Sequence, residues 1–172
     1  MNMLTESFSG IRGLFESDLK KEVIEGYALS FSNFIKKNNT KPLIVIGMDT
    51  RPSSMEVKEK MKKIFLEQGI DVFDVGYSPT PAIQHGVRLY KANGGVIISA
   101  SHNEPEWNGW KLLRHTGSVL KPEEIKEVIE NSKNTAINSK TDDLGKYEDR
   151  TQELKKSYID FILKNIEEEG IK

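Results

Sequence analysis

Three short runs rich in β-branched residues, Pro42–Gly47, Ile70–Val75 and Val96–Ile98, punctuate the chain, and the stretches between them carry a helical apolar period. Brief apolar runs bounded by turn residues read as strands buried on both faces. Strands that recur with a helix between them run parallel, because the crossover returns the chain to the same end of the sheet. One intervening helix spans Ser54–Gln68, with Val57, Met61, Ile64 and Phe65 facing inward and Gly69 as its stop. Another opens at Thr80-Pro81, with Thr80 as cap and Ile83, Val87 and Tyr90 on its inner face. A preceding helix runs from about Asp18, its expected N-cap, to Lys36, with Leu19, Val23, Tyr27 and Phe31 in register.

Trp110–Leu113 reads as a fourth strand that follows a loop rather than a helix, so it should be antiparallel. A short surface helix over Glu123–Glu130 and a flexible polar tract over Ser132–Lys146 follow. Arg150–Ile166 then repeats apolar residues as an amphipathic helix whose face needs a partner. The expected fold is therefore α/β: a mixed, mostly parallel four-stranded sheet flanked by helices, plus a C-terminal amphipathic helix. Residues 1–146 would form one domain and 147–172 a linker helix leading towards a second.

Composition removes several functions. With 25 basic and 26 acidic side chains the net charge is −1, which gives no overall field for nucleic acid or an acidic membrane surface. The absence of cysteine rules out thiolate catalysis, disulfides and Cys-based zinc sites. No apolar run approaches the ~20 residues needed to span a bilayer, so a cytoplasmic location is expected.

Four segments are too polar or too glycine-rich for core. In Ser9-Gly10-Ile11-Arg12-Gly13, two glycines flank an arginine in what reads as a sharp turn presenting the guanidinium. Gly47–Ser54, at the end of a strand, is either a capped strand–helix turn with an internal Asp49–Arg51 pair or an anion site using Arg51. Ser99-Ala100-Ser101-His102-Asn103 places Ser101 on a loop just past a buried strand. A neighbouring histidine is badly placed to act as its base, and no Gly-x-Ser-x-Gly elbow is present, which argues against a serine hydrolase. A serine without an obvious base suits phosphoryl carriage, where positioning and charge neutralisation do the work. In the fourth segment Asn108-Gly109 reads as a turn, and Lys111 is either a phosphate-facing cation or an edge-strand lysine.

In order and spacing, these segments together with Thr80-Pro81 resemble the N-terminal domain, domain I, of the α-D-phosphohexomutase superfamily. The resemblance implies that Ser101 is a phosphoserine whose phosphate is one ligand of Mg²⁺. It implies catalytic roles for Ser101, Lys111 and His102, and substrate or phosphate binding by Ser9, Arg12, Asn103 and Arg51. It implies hexose phosphate and hexose 1,6-bisphosphate as partners, together with further domains of the same enzyme, and an inactive chain in their absence. The alternative is a non-catalytic relative that binds a sugar phosphate or a protein. Three departures stand out: Ser99 replaces threonine, Glu104 replaces proline, and Phe-Gly-Thr is missing before Ser9. The superfamily's acidic metal loop, Asp-x-Asp-x-Asp-Arg, does not occur, and Asp142-Asp143 falls in the polar tract.

Overall fold

The computed structural model describes residues 4–134 and 141–166. Two strands, β1 (Thr5–Ser7) and β2 (Gly10–Leu14), precede α1 (Lys21–Lys36). Then β3 (Leu43–Met48), α2 (Ser54–Glu67), β4 (Asp71–Tyr77), α3 (Thr80–Leu89) and β5 (Gly94–Ile98) alternate as the apolar runs require. The chain continues through β6 (Trp107–Arg114), α4 (Pro122–Ser132), β7 (Tyr147–Asp149) and α5 (Thr151–Lys164).

The sheet has seven strands in the order β1-β2-β6-β5-β3-β4-β7, not four. Nor is it mostly parallel: β3 pairs in parallel with β4 and β5, and β4 with β7, while β1–β2, β2–β6 and β5–β6 are antiparallel. The physical reason is connectivity. Helical crossovers produce the parallel half, whereas the β1–β2 turn and the loop from β5 to β6 reverse the chain directly. The reversal at β6 is the one the sequence indicates.

Helices cover both faces. On one, α1, α2 and α4 bury Tyr27, Phe31, Met61, Phe65 and Val128 against Ile44, Ile46, Val96 and Trp110 of the sheet. On the other, α3 and α5 bring Ile83, Val87 and Leu154 onto Val45, Val75, Ile97 and Leu113. Since β4 lies to one side of β3 and β5 to the other, and α2 and α3 pack on opposite faces, the winding reverses between β3 and β5. Open α/β sheets bind ligands in the crevice at such a point.

Several local expectations change. Asp18 does not cap α1, whose N-cap is Lys20; its carboxylate accepts the Leu14 amide at 2.9 Å and closes the turn after β2. Thr80 is the first helical residue of α3, with Pro79 as its cap. Gly69 does end α2, at φ 72°, where a Cβ would be strained. In the tract expected to be flexible, residues 135–140 lie outside the described residues. The part from 141 to 146 is bonded to the fold: the Thr141 and Gly145 amides donate to the Glu67 and Leu66 carbonyls, and Lys146 exchanges bonds with Val72 and Asp71. That run leads β7 into the sheet, and Leu154 of α5 is fully buried, so pairing and packing continue past residue 146. Further along α5, Ile159, Phe161, Ile162 and Leu163 are exposed, as is Ile166 just beyond it.

Candidate active site

The C-terminal ends of β3 and β5 carry two loops that meet at the crevice. They are joined by main chain, the Asp49 amide donating to the Ile98 carbonyl at 2.9 Å. The first loop folds on Asp49. Its Oδ1 accepts the Arg51 amide at 3.1 Å and the Ser54 hydroxyl at 2.6 Å, and its Oδ2 lies 3.2 Å from Arg51 Nε. Ser53 and Ser54, at the start of α2, accept the side-chain amide of buried Asn108 at 2.7 and 3.1 Å. A polar platform therefore lies beneath the second loop, which runs from Ser99 to Glu106.

Ser101 is exposed and has φ 61°, the left-handed region that a residue with a Cβ enters rarely and at a cost of about 1–3 kcal/mol. Its amide donates to Ser99 Oγ at 2.9 Å. His102 is exposed beside it, and Glu104, at the position where the superfamily carries proline, is exposed as well. The Asn103 amide donates to the Ala100 carbonyl at 3.2 Å, and its Oδ1 is buried without a protein donor. A groove of about 460 Å³ runs between the loops, lined by Asp49, Thr50, Arg51, Ser101, Asn103 and Pro105.

Arg12 and Lys111 lie on the antiparallel half of the sheet. Arg12 pairs with Gly109, and the Ser99 amide donates to the Gly109 carbonyl at 3.0 Å, so Arg12, Gly109 and Ser99 form one row across three chain segments. With strands ~4.8 Å apart, that row puts the Arg12 Cα about 10 Å from Ser99. Lys111 pairs with Ile97 in the next row of its own face, two residues along from Gly109. Arg12 and Lys111 thus point to the same side of the sheet, diagonal to one another. Each faces a glycine: a Cβ on Gly109 would lie 3.1 Å from Arg12 Cγ, and one on Gly10 the same distance from Lys111 Cγ. Among the described residues no ion pair involves either cation.

The structure corrects two expectations here. Ser9–Gly13 is not a loop around Arg12 but a hairpin turn followed by strand β2. Ser9 sits in that turn, its hydroxyl 3.0 Å from Ser7 Oγ, about three residues or ~10 Å down the strand from Arg12 and away from the Ser101 loop. Asn108-Gly109 is not a turn. It lies inside β6, where a Cβ at 109 would meet the Ile11 carbonyl at 2.1 Å. Because β6 runs between β2 and β5, Lys111 is on an interior strand and has no edge to protect. Of the two readings of Gly47–Ser54, the structure contains the internal Asp49–Arg51 pair, and Arg51 also bonds to the neighbouring loop. Its side chain is 11% exposed, and its guanidinium donates to three carbonyls of the Ser101 loop and to that of Trp107, as well as to Asp49. No sequence signal marks the carbonyl contacts, because the acceptors are main-chain atoms.

This is an α/β/α domain with an exposed hydroxyl at its topological switch point and, on the adjoining strands, two cations without an ion pair among the described residues. Residues 5–138 match the family described as "Phosphoglucomutase/phosphomannomutase, alpha/beta/alpha domain I". The chain belongs to that family. It is 36% identical over 165 residues to a phosphoglucomutase/phosphomannomutase of Thermococcus kodakarensis, covering 95% of this chain and 36% of the relative. It is 38% identical over 146 residues to a phosphoglucosamine mutase of Alkaliphilus oremlandii, covering 79% and 31%. A crystal structure of a phosphoglucomutase/phosphomannomutase family protein from Burkholderia thailandensis superposes with a TM-score of 0.79 at 22% identity, over 96% of this chain and 37% of that one, which supports the fold. The chain thus spans about a third of the length of these relatives. Relatives named for different sugars match at similar identity.

Proposed function

We propose that this chain is the phosphoserine-bearing domain of a phosphohexomutase, an intramolecular phosphotransferase acting between the 1- and 6-positions of a hexose phosphate. The observation that carries the reading is the exposed Ser101 at the switch point, with Arg12 and Lys111 on the adjoining antiparallel strands and without a carboxylate partner among the described residues. Two like charges on one strand face repel unless an anion lies between them, and a phosphoserine brings a charge of about −1.5 to −2.

In the proposed cycle a hexose 1,6-bisphosphate donates one phosphoryl group to Ser101. The sugar O–P bond breaks, the Ser101 Oγ–P bond forms, and the serine proton passes to the released sugar oxygen, with Lys111 assigned to relay it. Phosphoserine returns the group to the other end of a hexose monophosphate by the reverse step. Catalysis of this kind rests on alignment and charge neutralisation, which Arg12 and Lys111 supply on this domain. Asn103 lines the groove, and it and the exposed His102 are assigned to shape the sugar-phosphate pocket. Mg²⁺, when bound, neutralises charge on the transferring group. Among the described residues no three metal-ligating side chains gather, and the Asp49 carboxylate is occupied by Arg51 and Ser54. This chain therefore fits one oxygen ligand, from the Ser101 phosphate, and the others would come from further domains.

The test is to incubate the longest product of the reading frame containing this chain with glucose 1,6-bisphosphate and measure intact mass, with Ser101→Ala as control. One phosphoryl group should appear on the native protein, map to Ser101 and be missing from the variant. A phosphoryl group elsewhere, or none, overturns the proposal.

A further inference from the structure

The geometry points to Arg51 as the positioning residue that sets the backbone of the phosphoryl-carrying loop and holds Ser101 outward; this inference rests on the reading of Ser101 given above. A guanidinium has five N–H donors in a fixed planar fork. Here all five are engaged. Nε donates to Asp49 Oδ2 at 3.2 Å. Nη1 donates to the carbonyls of Glu104 and Trp107 at 2.6 and 3.0 Å. Nη2 donates to the carbonyls of Ser101 and Asn103 at 3.0 and 2.7 Å.

Three carbonyls of one short loop and that of Trp107, at the start of β6, thus converge on a single point. Their negative ends repel each other unless a cation sits among them, and a planar fork fixes their directions as well as their distances. The consequence falls on Ser101. Its carbonyl is drawn in by Arg51 and its amide is taken by Ser99 Oγ, so both ends of the residue are held while φ stands at 61°. The side chain is left facing solvent.

The same accounting separates Arg51 from the phosphate. No N–H of its guanidinium remains to donate, and its charge is offset by Asp49 at 3.2 Å. Asp49 is itself tied to Ser54, and Ser54 to Asn108 at the start of β6, so the clamp is braced against both α2 and the sheet. Binding of the phosphoryl group falls to other cations. Arg51 acts through the loop alone, and its loss should change the rate of transfer and not the affinity for the donor.

Alanine at 51 would strand Asp49 and four carbonyls at once, so the informative variants are Arg51→Lys and Asp49→Asn. An ammonium keeps the charge but offers three donors and no fork. In the longest product of the reading frame, the rate of Ser101 phosphorylation by saturating glucose 1,6-bisphosphate should fall about tenfold or more in Arg51→Lys, because displacements near 1 Å carry penalties of that order. KM for the bisphosphate should stay within about twofold. Asp49→Asn should lie between Arg51→Lys and the native protein, and faster hydrogen exchange in Arg51→Lys should be confined to amides between residues 99 and 107. An unchanged rate, a loss carried by KM, or exchange that rises throughout the domain would each overturn the inference. If the native protein itself takes no phosphoryl group at Ser101, the functional reading falls; if it does and Arg51→Lys is equally fast, only the role of Arg51 falls.

Discussion

Arg51 and Arg12 stand on opposite sides of the same loop and have opposite surroundings. Arg51 is enclosed, paired with Asp49 and saturated by main-chain carbonyls. Arg12 lies on a strand face, opposite a glycine and diagonal to Lys111, without an ion pair among the described residues. Both occur in short glycine-containing motifs that look alike as anion sites. What separates a ligand from a scaffold is how many donors remain after folding, and an arginine with none left organises structure instead of capturing substrate.

The contrast can be broken most directly at its enclosed end. Arg51→Ala should cost about 3 kcal/mol in a urea unfolding experiment, since a largely buried charge pair loses one partner and several carbonyls lose their donor. A midpoint equal to that of the native protein would show that the clamp holds nothing. Gly109→Ala should come next, at about 2 kcal/mol, because its Cβ would meet the Ile11 carbonyl at 2.1 Å and β2 would have to move. If that variant unfolds like the native chain, the close approach of β2 to β6 is not needed to seat Arg12.

At the open end the sign of the comparison should change. Inorganic phosphate at about ten times its dissociation constant should stabilise the native chain by about 1.4 kcal/mol, read as a rise in melting temperature. Arg12→Ala and Lys111→Ala should lose most of that rise while Arg51→Lys keeps it; the reverse pattern would exchange the roles of the two arginines. The smallest effect expected is on stability without anion. Arg12→Ala should unfold within about 0.5 kcal/mol of the native chain, on the stable side if relief of repulsion from Lys111 outweighs lost strand contacts. A loss above 1 kcal/mol in differential scanning calorimetry would mean that Arg12, too, is structural.

The helical crossovers and the strands between them are legible because their signal is periodic burial, which a sequence records directly. The strands β1, β2 and β7 are not. Two have three residues each, and β2 carries two glycines in five, so none offers an alternating pattern. Missing them turns a half-antiparallel sheet of seven strands into a mostly parallel one of four. Asn108-Gly109 misleads for a related reason. The dipeptide is a local turn signal, but here the glycine answers a distant demand, the carbonyl of Ile11 pressing on its Cα. Ser101 is placed correctly because a polar run directly after a buried strand must emerge at the sheet's end. Of the clamp beneath it, only the Asp49–Arg51 pair shows in the sequence, since carbonyls are common to every residue.

The left-handed backbone at Ser101 sets two selective pressures against one another. Glycine would adopt φ 61° without strain, so Ser101→Gly should relax the loop while erasing the only atom on that residue able to carry an ester. A library screened for heat resistance alone should drift towards glycine at this position, and only a screen that also demands turnover would keep the hydroxyl.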